Sequence, residues 1–277
     1  MDDALSVLAS IKECIKEVSA WMSSSKLKLN EDKTEFLIIT TPHFKKTFHD
    51  ISLEVGGLQI QCAEKARNLG VFFDSVMDMK CNVTAICKSA YYHLRNIGSV
   101  RKYLTSDSAA QIIHAFVTSR LDYCNSLLAG IPASSVARLQ KIQNTAARII
   151  TLSRKLDHIT PVLVQLHWLP VPLRIQFKIL LITFKIRLGS APSYLSDLVS
   201  DYKPGRTLRS ASKMLLTVPK SNLQTYGDRA FSIYAPKLWN DLPKDIKRSE
   251  TLDCFKRQVK TFLFKKFIAD PPIYIKK

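Results

Sequence analysis

The sequence predicts a mainly helical protein with a small antiparallel β region, an α+β chain. Three observations carry this. From residue 78 onward apolar residues recur at three- and four-residue steps, the repeat of helices with one face buried. Alternating runs flank Gly56-Gly57, and a further apolar run follows at Leu69–Phe73, as in strands joined by a tight turn. A chain of 277 residues, 46% apolar with 8 Gly and 12 Pro, has material for one large or two modest cores and is not a disordered composition.

Leu5, Leu8, Ile11, Ile15, Val18 and Met22 predict an amphipathic helix over 3–24, its stripe packed on a sheet. Phe36 to Thr40 reads as a buried strand. Ile51, Leu53 and Val55 alternate, Gly56-Gly57 turns the chain, and Leu58, Ile60 and Cys62 alternate again. With Leu69–Phe73 these predict one antiparallel sheet of three or four strands under a helix. Met79, Val83, Ile86, Ala90, Leu94 and Ile97 line the next helix. Thr105-Ser106-Asp107 offers N-caps for another, with the stripe Ile113, Phe116 or Val117, Leu121, Cys124 and Leu128, ended by Gly130-Ile131-Pro132. Ser134 or Ser135 caps a third, to about Leu152, so three helices joined by short turns form a bundle. Pro161 to Pro172 reads as a link. Pro172 then opens a helix that stops at Gly189, 190–248 is broken by prolines with Tyr226–Trp239 its best helix, and an amphipathic helix spans 249–268.

Charge is spread unevenly. The chain carries +18, yet residues 1–64 hold seven Lys or Arg against ten Asp or Glu, and residues 65–277 hold thirty-four against thirteen. No glutamate occurs between Glu64 and Glu250. Such exclusion of acid suits a polyanionic partner, because each cation near a phosphate releases a counterion; a solvated basic surface is the plainer account. Six cysteines without a Cys-x-x-Cys suit reduced, buried thiols of an intracellular protein, cytoplasmic or nuclear. No basic, apolar-cored leader and no run of about 18 uncharged apolar residues is present, so no membrane partner is expected.

The third bundle helix carries the sharpest binding signal. At 100° per residue Arg138, Lys141, Thr145 and Arg148 share one side, while Val136, Leu139, Ile142, Ala146 and Ile150 take the other. No acid lies between Arg138 and Lys155, so the stripe lacks the intrahelical partners of an ordinary solvated face. Arg174, Lys178 and Lys185 repeat the pattern more weakly on the following helix. The basic residues Lys256, Arg257, Lys260, Lys265 and Lys266 make the last helix a candidate basic amphipathic helix for a membrane surface or a partner groove, though its aromatic stripe reads as core. No Gly-rich phosphate loop, metal-ligand spacing or Ser/His/Asp arrangement occurs, so neither a metal site nor a nucleophile is expected. Asp2-Asp3 sits where acids favour a helix N-terminus.

A longer pattern runs through the chain. Trp21-Met22 is followed by Lys26-Leu27-Lys28-Leu29-Asn30-Glu31-Asp32-Lys33-Thr34 and an apolar run. Asn68-Leu69-Gly70-Val71, Ser119-Arg120-Leu121-Asp122-Tyr123-Cys124-Asn125-Ser126-Leu127-Leu128 and Asp157-His158-Ile159-Thr160-Pro161 come next. Leu166-His167-Trp168-Leu169-Pro170-Val171, Ala230-Phe231-Ser232 and Leu238-Trp239-Asn240-Asp241-Leu242-Pro243 complete it. In this order the blocks resemble the reverse transcriptase of LINE-type (non-LTR) retrotransposons of the jockey group, over nearly the whole chain.

That resemblance implies three regions: 1–75 as the trailing part of a polymerase palm, 76–155 as a three-helix thumb, and 156–277 as a helical C-terminal region. It implies that the parent enzyme is an RNA-directed DNA polymerase using Mg²⁺, whose metal-binding aspartates lie before the Trp-Met helix. This sequence contains no Tyr/Phe-x-Asp-Asp, so the chain alone is expected to be inactive, to hold no cofactor, and to work with the parent's upstream polymerase and endonuclease regions. Lys33 falls where the family's lysine is thought to protonate pyrophosphate; a solvated lysine in a turn is the alternative. Gly56, Gly57, Leu69 and Gly70 match a primer grip, and are equally an ordinary hairpin. The expected partner is RNA or an RNA–DNA hybrid. The competing class is a non-enzymatic helical interaction protein, a domesticated or degraded remnant.

Overall fold

The computed structural model of the protein describes residues 2–45, 51–203, 213–223 and 226–271. Two compact units divide it, Met1–Thr84 and Ala85–Lys277, and the division falls inside a helix. Regions 76–155 and 156–277 thus belong largely to one unit.

In the first unit α1 (Asp2–Ser24) packs against β1 (Ser52–Val55). Its stripe is shallower than the spacing predicts: Leu8, Ile11, Ile15 and Met22 are half-buried, and Trp21 is 64% exposed. β1 pairs with β2 (Leu58–Gln61), Val55 opposite Leu58, around Gly56 at φ +60° and Gly57 at φ +87°. Positive φ at both central residues is what a two-residue hairpin turn needs. β3 (Lys65–Asn68) and β4 (Val71–Asp74) form a second hairpin around Leu69 at φ +46° and Gly70 at φ +84°. Among the described residues the strands form two separate two-stranded sheets, not the single sheet expected. Phe36–Thr40 is not a strand either. Phe36 makes one parallel bridge to Cys62, its carbonyl accepting from the Ala63 N–H at 2.7 Å, and the Thr40 N–H donates to Ser75 O at 2.8 Å. Each hairpin satisfies its own inner edge, which leaves this segment only isolated bonds.

α2 (Lys80–Val100) follows, with Met79, Val83, Cys87, Ala90, Leu94 and Ile97 buried. Of the described cysteines only Cys87 is buried, and burial pushes its thiol up; all six are free. The second bundle helix is broken where one continuous rod is expected. α3 (Ser106–Ile113) is capped by Thr105, whose hydroxyl accepts from the Ser108 N–H. It passes through a π-helical segment, His114–Thr118, into the short α4 (Ser119–Asp122). The chain then turns at Cys124, φ +50°, into a 3-10 turn, Asn125–Leu128. α5 (Ala133–Thr151) starts at Pro132, with no side-chain cap from Ser134 or Ser135. The Pro161–Pro172 link contains a helix, α6 (Ile159–Gln165).

α7 (Val171–Arg187) is the hub of the second unit. It packs against α5, α4, the 3-10 turn after it, α8 (Ser193–Ser196), α9 (Phe231–Asn240) and, in sequence after α10 (Lys244–Lys247), α11 (Leu252–Ala269). Phe184 of α7 stacks on Phe255 of α11 with ring centres 4.0 Å apart, and buried Trp239 of α9 packs beside both. Asn240 clamps the backbone of one residue: its Oδ1 accepts from the Leu216 N–H at 2.8 Å and its Nδ2 donates to Leu216 O at 2.9 Å. The Trp239 indole donates to Met214 O. The Leu-Trp-Asn block therefore pins the segment around Leu216, which also bridges Asp201, to α9. No helix of the described residues is long and apolar enough to cross a membrane.

Candidate nucleic-acid interface

α5 carries the basic stripe on its outer side. Leu139, Ile142, Ala146 and Ile150 are buried, whereas Arg138 and Lys141 are exposed and Arg148 is half-buried. Arg138 stands close enough to Cys87 and Tyr91 of α2 for its charge to favour both their anions. Arg148 has another role. Its Nε donates to Arg154 O at 3.2 Å and its Nη2 to Asp157 O at 3.1 Å, so it ties down the loop after α5. Within that loop Asp157 accepts from the Arg154 N–H at 2.7 Å, and Arg154 and Lys155 are left exposed. The acid-free stretch thus presents Arg138, Lys141, Arg154 and Lys155 outward, with Arg148 holding the loop that carries the last two.

The buried side of α5 is not wholly apolar. Gln140, Gln143 and Asn144 lie there at 0%, 2% and 5% exposure. Gln140 Nε2 donates to Gln143 Oε1 and Asn144 Oδ1, Gln143 Nε2 donates to Leu169 O at 2.8 Å, and Gln140 Oε1 accepts from the Val171 N–H at 2.8 Å. That last bond satisfies one of the N–H groups left open at the start of α7. The Leu-His-Trp-Leu-Pro-Val block is held to α5 by these amides.

On α7, Arg174 is not a free cation. It forms a two-pronged ion pair with Asp122 of α4, half-buried. Lys178 and Lys185 are exposed. The pair closes one wall of a cleft of about 500 Å³, whose other walls include His114, Asn125, Trp168 and Lys260. Asn125 Nδ2 donates to Asp122 at 3.4 Å, while its Oδ1 is buried without a donor. His114 lies edge-on to Trp168, ring centres 5.4 Å apart; burial, then the Arg174 charge, depress its basicity, against the Asp122 charge. Both sequence blocks of unassigned role, Asp122–Asn125 and Leu166–Leu169, therefore meet at one place. Neither the Asp122–Arg174 pair nor the convergence on Asn125 follows from spacing, since the partners are far apart in sequence.

The remaining candidates lie in the first unit. Gly56, Gly57, Leu69 and Gly70 are the central residues of the two hairpin turns. A Cβ on Gly56 would fall 2.1 Å from the Glu31 carboxylate, so the space beside it holds an acid and not the room a phosphate would need. Lys33 ends a 3-10 turn, Glu31–Lys33, its N–H donating to the Asn30 side chain at 3.1 Å, and its side chain is exposed. Asp2 and Asp3 open α1. Among the described residues no group of three His, Cys, Asp or Glu is placed to share a metal ion. No family model, curated protein or solved structure matches this chain.

Proposed function

We propose that the chain binds nucleic acid, an RNA duplex or RNA–DNA hybrid, by phosphate contacts from the outer side of α5, and that it is the thumb-containing part of a jockey-type RNA-directed DNA polymerase. The observation that carries this is the exposed pair Arg138 and Lys141 on a helix whose other side is buried, within a stretch free of acid from Tyr123 to Leu156. Cations on the exposed side of a rigid helix follow a phosphate backbone and read no bases. The motif order across the chain supplies the polymerase part of the reading.

The test is the double variant Arg138→Gln/Lys141→Gln, with Arg148 kept because it holds the loop. Each phosphate contact contributes about one unit to the slope of log K against log[salt], so the variant flattens that slope by about two units. Affinity falls alike for every sequence, with helicity unchanged. An unaltered slope would leave α5 a solvated face and favour the helical interaction protein. The purified chain is also expected to extend no primer with Mg²⁺ or Mn²⁺; nucleotide incorporation above a heat-killed control would refute that.

A further inference from the structure

The cleft between α4 and α7 has features that the phosphate-tracking side of α5 does not use. Its one acidic wall residue, Asp122, is neutralised by Arg174, while Lys178 and Lys260 at its rim are paired with no carboxylate among the described residues. The site therefore favours an anion. Leu169, Phe177 and Trp168 give it apolar and aromatic walls, and its volume suits a small ligand. Asn125, 4% exposed, backs the Asp122 wall through its Nδ2, and its Oδ1 is buried.

His167 supplies the independent sign. α6 ends in a Schellman motif: the His167 N–H bonds Val164 O at 3.0 Å and the Trp168 N–H bonds Leu163 O at 2.8 Å. The left-handed residue of that motif is ordinarily glycine, yet here it is His167 at φ +53°. Eight described non-glycine residues adopt positive φ, and of these His167 is the one whose side chain lines the cleft. The π-helical segment that carries His114 into the same cleft is a second departure from regular geometry, and such bulges often mark functional sites.

We propose that this cleft receives one unpaired nucleotide, its base against the His167 and Phe177 rings and its phosphate at the Lys178 and Lys260 ammonium groups. Aromatic side chains beside cations are how proteins hold unpaired bases. The inference rests on the nucleic-acid reading of the chain, and it adds a second, chemically different contact to the one on α5.

Binding of a labelled single-stranded oligonucleotide and of a blunt RNA–DNA hybrid is measured for the parent, for His167→Gly and for Lys178→Gln/Lys260→Gln. Both variants weaken single-strand binding about tenfold and leave the blunt hybrid unchanged. His167→Gly also raises the melting temperature, because glycine relieves the left-handed backbone; a merely structural histidine would not couple greater stability to weaker binding. Competition by AMP assigns the cleft to a free nucleotide, and failure of AMP to compete assigns it to a nucleotide within a strand. Single-strand binding unchanged in both variants overturns the proposal. Loss of hybrid binding on changing Arg138 and Lys141, with that outcome, would leave the α5 reading standing alone; a parent that binds single strands through the cleft but no hybrid would do the reverse.

Discussion

At the scale of single residues, buried charge is placed with care. Arg101 is 8% exposed and pairs with no carboxylate among the described residues. Its guanidinium instead donates to Ile149 O at 2.7 Å, Ile150 O at 2.8 Å and Leu104 O at 2.6 Å, with a longer bond to Ser106 Oγ. The first two are carbonyls at the C-terminal end of α5, where the helix dipole favours a cation. Arg101→Met is expected to destabilise the protein by about 2–4 kcal/mol in urea unfolding, since it strips these carbonyls of their donor. Arg101→Lys should recover only a minor part, lacking the planar fork. Asp74 is the opposite case. Burial pushes its carboxyl above the usual range and the Asp78 charge adds to this, outweighing the bond its Oδ1 accepts from the Asp78 N–H; its Oδ2 has no partner. An acid whose folded pKa is raised contributes stability that is present below its unfolded value of 3.8 and lost as pH rises through the folded value. Asp74→Asn should remove that decline, seen as greater hydrogen-exchange protection of β3 and β4 at pH 7 and little change at pH 3. Equal protection in parent and variant at pH 7 would contradict it.

At the scale of elements, the amides of α5 carry the clearest prediction. Gln140→Leu fits the volume but leaves the Val171 N–H and the Gln143 and Asn144 side chains without their partner, a loss of about 2–3 kcal/mol. A variant as stable as the parent would show that α7 does not depend on that cap. His114 predicts a pH dependence of the same unit. Its depressed basicity means the folded state resists protonation, so stability falls as pH drops below about 6.5 toward the lowered folded value. His114→Gln should flatten the profile of thermal unfolding between pH 7 and pH 5. Periodicity made α1, α2, α5, α7 and α11 legible in the sequence, because each has apolar residues at helical steps and a clear stop. It could not show the break at Tyr123 and Cys124: the apolar stripe from Ile113 to Leu128 continues across it, since residues on a π segment and a 3-10 turn are buried too. The run Phe36–Ile39 misled for the converse reason, a strand needing a partner edge as well as apolar residues. The outward placement of Arg138 and Lys141 was legible from spacing, whereas the tie of Arg148 to the loop after α5 was not. The cleft was not, although Gln140, Gln143 and Asn144 on the apolar side of α5 were a visible sign of a polar tether.

At the scale of the whole molecule, the two units differ in how they are held. The first has two isolated hairpins and a helix none of whose described side chains is buried, whereas the second is built around α7 with Phe184, Trp239, Phe255 and Phe267 in its interior. Two-stranded sheets are marginal without further packing, so limited proteolysis should cut within residues 24–76 first and leave a resistant fragment that keeps α2 whole. Earlier cleavage inside α5 or α7 would count against this. Charge follows the same division. The acidic excess lies in residues 1–64 and the basic excess beyond, which puts the salt dependence of any polyanion binding in the second unit. A truncation beginning just before α2 should therefore retain the full salt slope, and a slope reduced by half would place phosphate contacts in the first unit instead.

The π-helical turn at His114–Thr118 has a consequence for how this chain tolerates lineage change. Such a turn holds one residue more than the α-helix around it. Loss of a single codon there would restore an unbroken rod, with no proline introduced and no bond of the helix lost. Five residues of a π turn sweep about the angle that four sweep in an α-helix, so the residues after the deletion would keep their faces and Asp122 its place opposite Arg174, while the bulge at His114 would be gone. The helix and the Asp122–Arg174 pair would both survive such a deletion, so what the extra residue adds is the local bulge at the cleft wall and nothing that the fold itself requires.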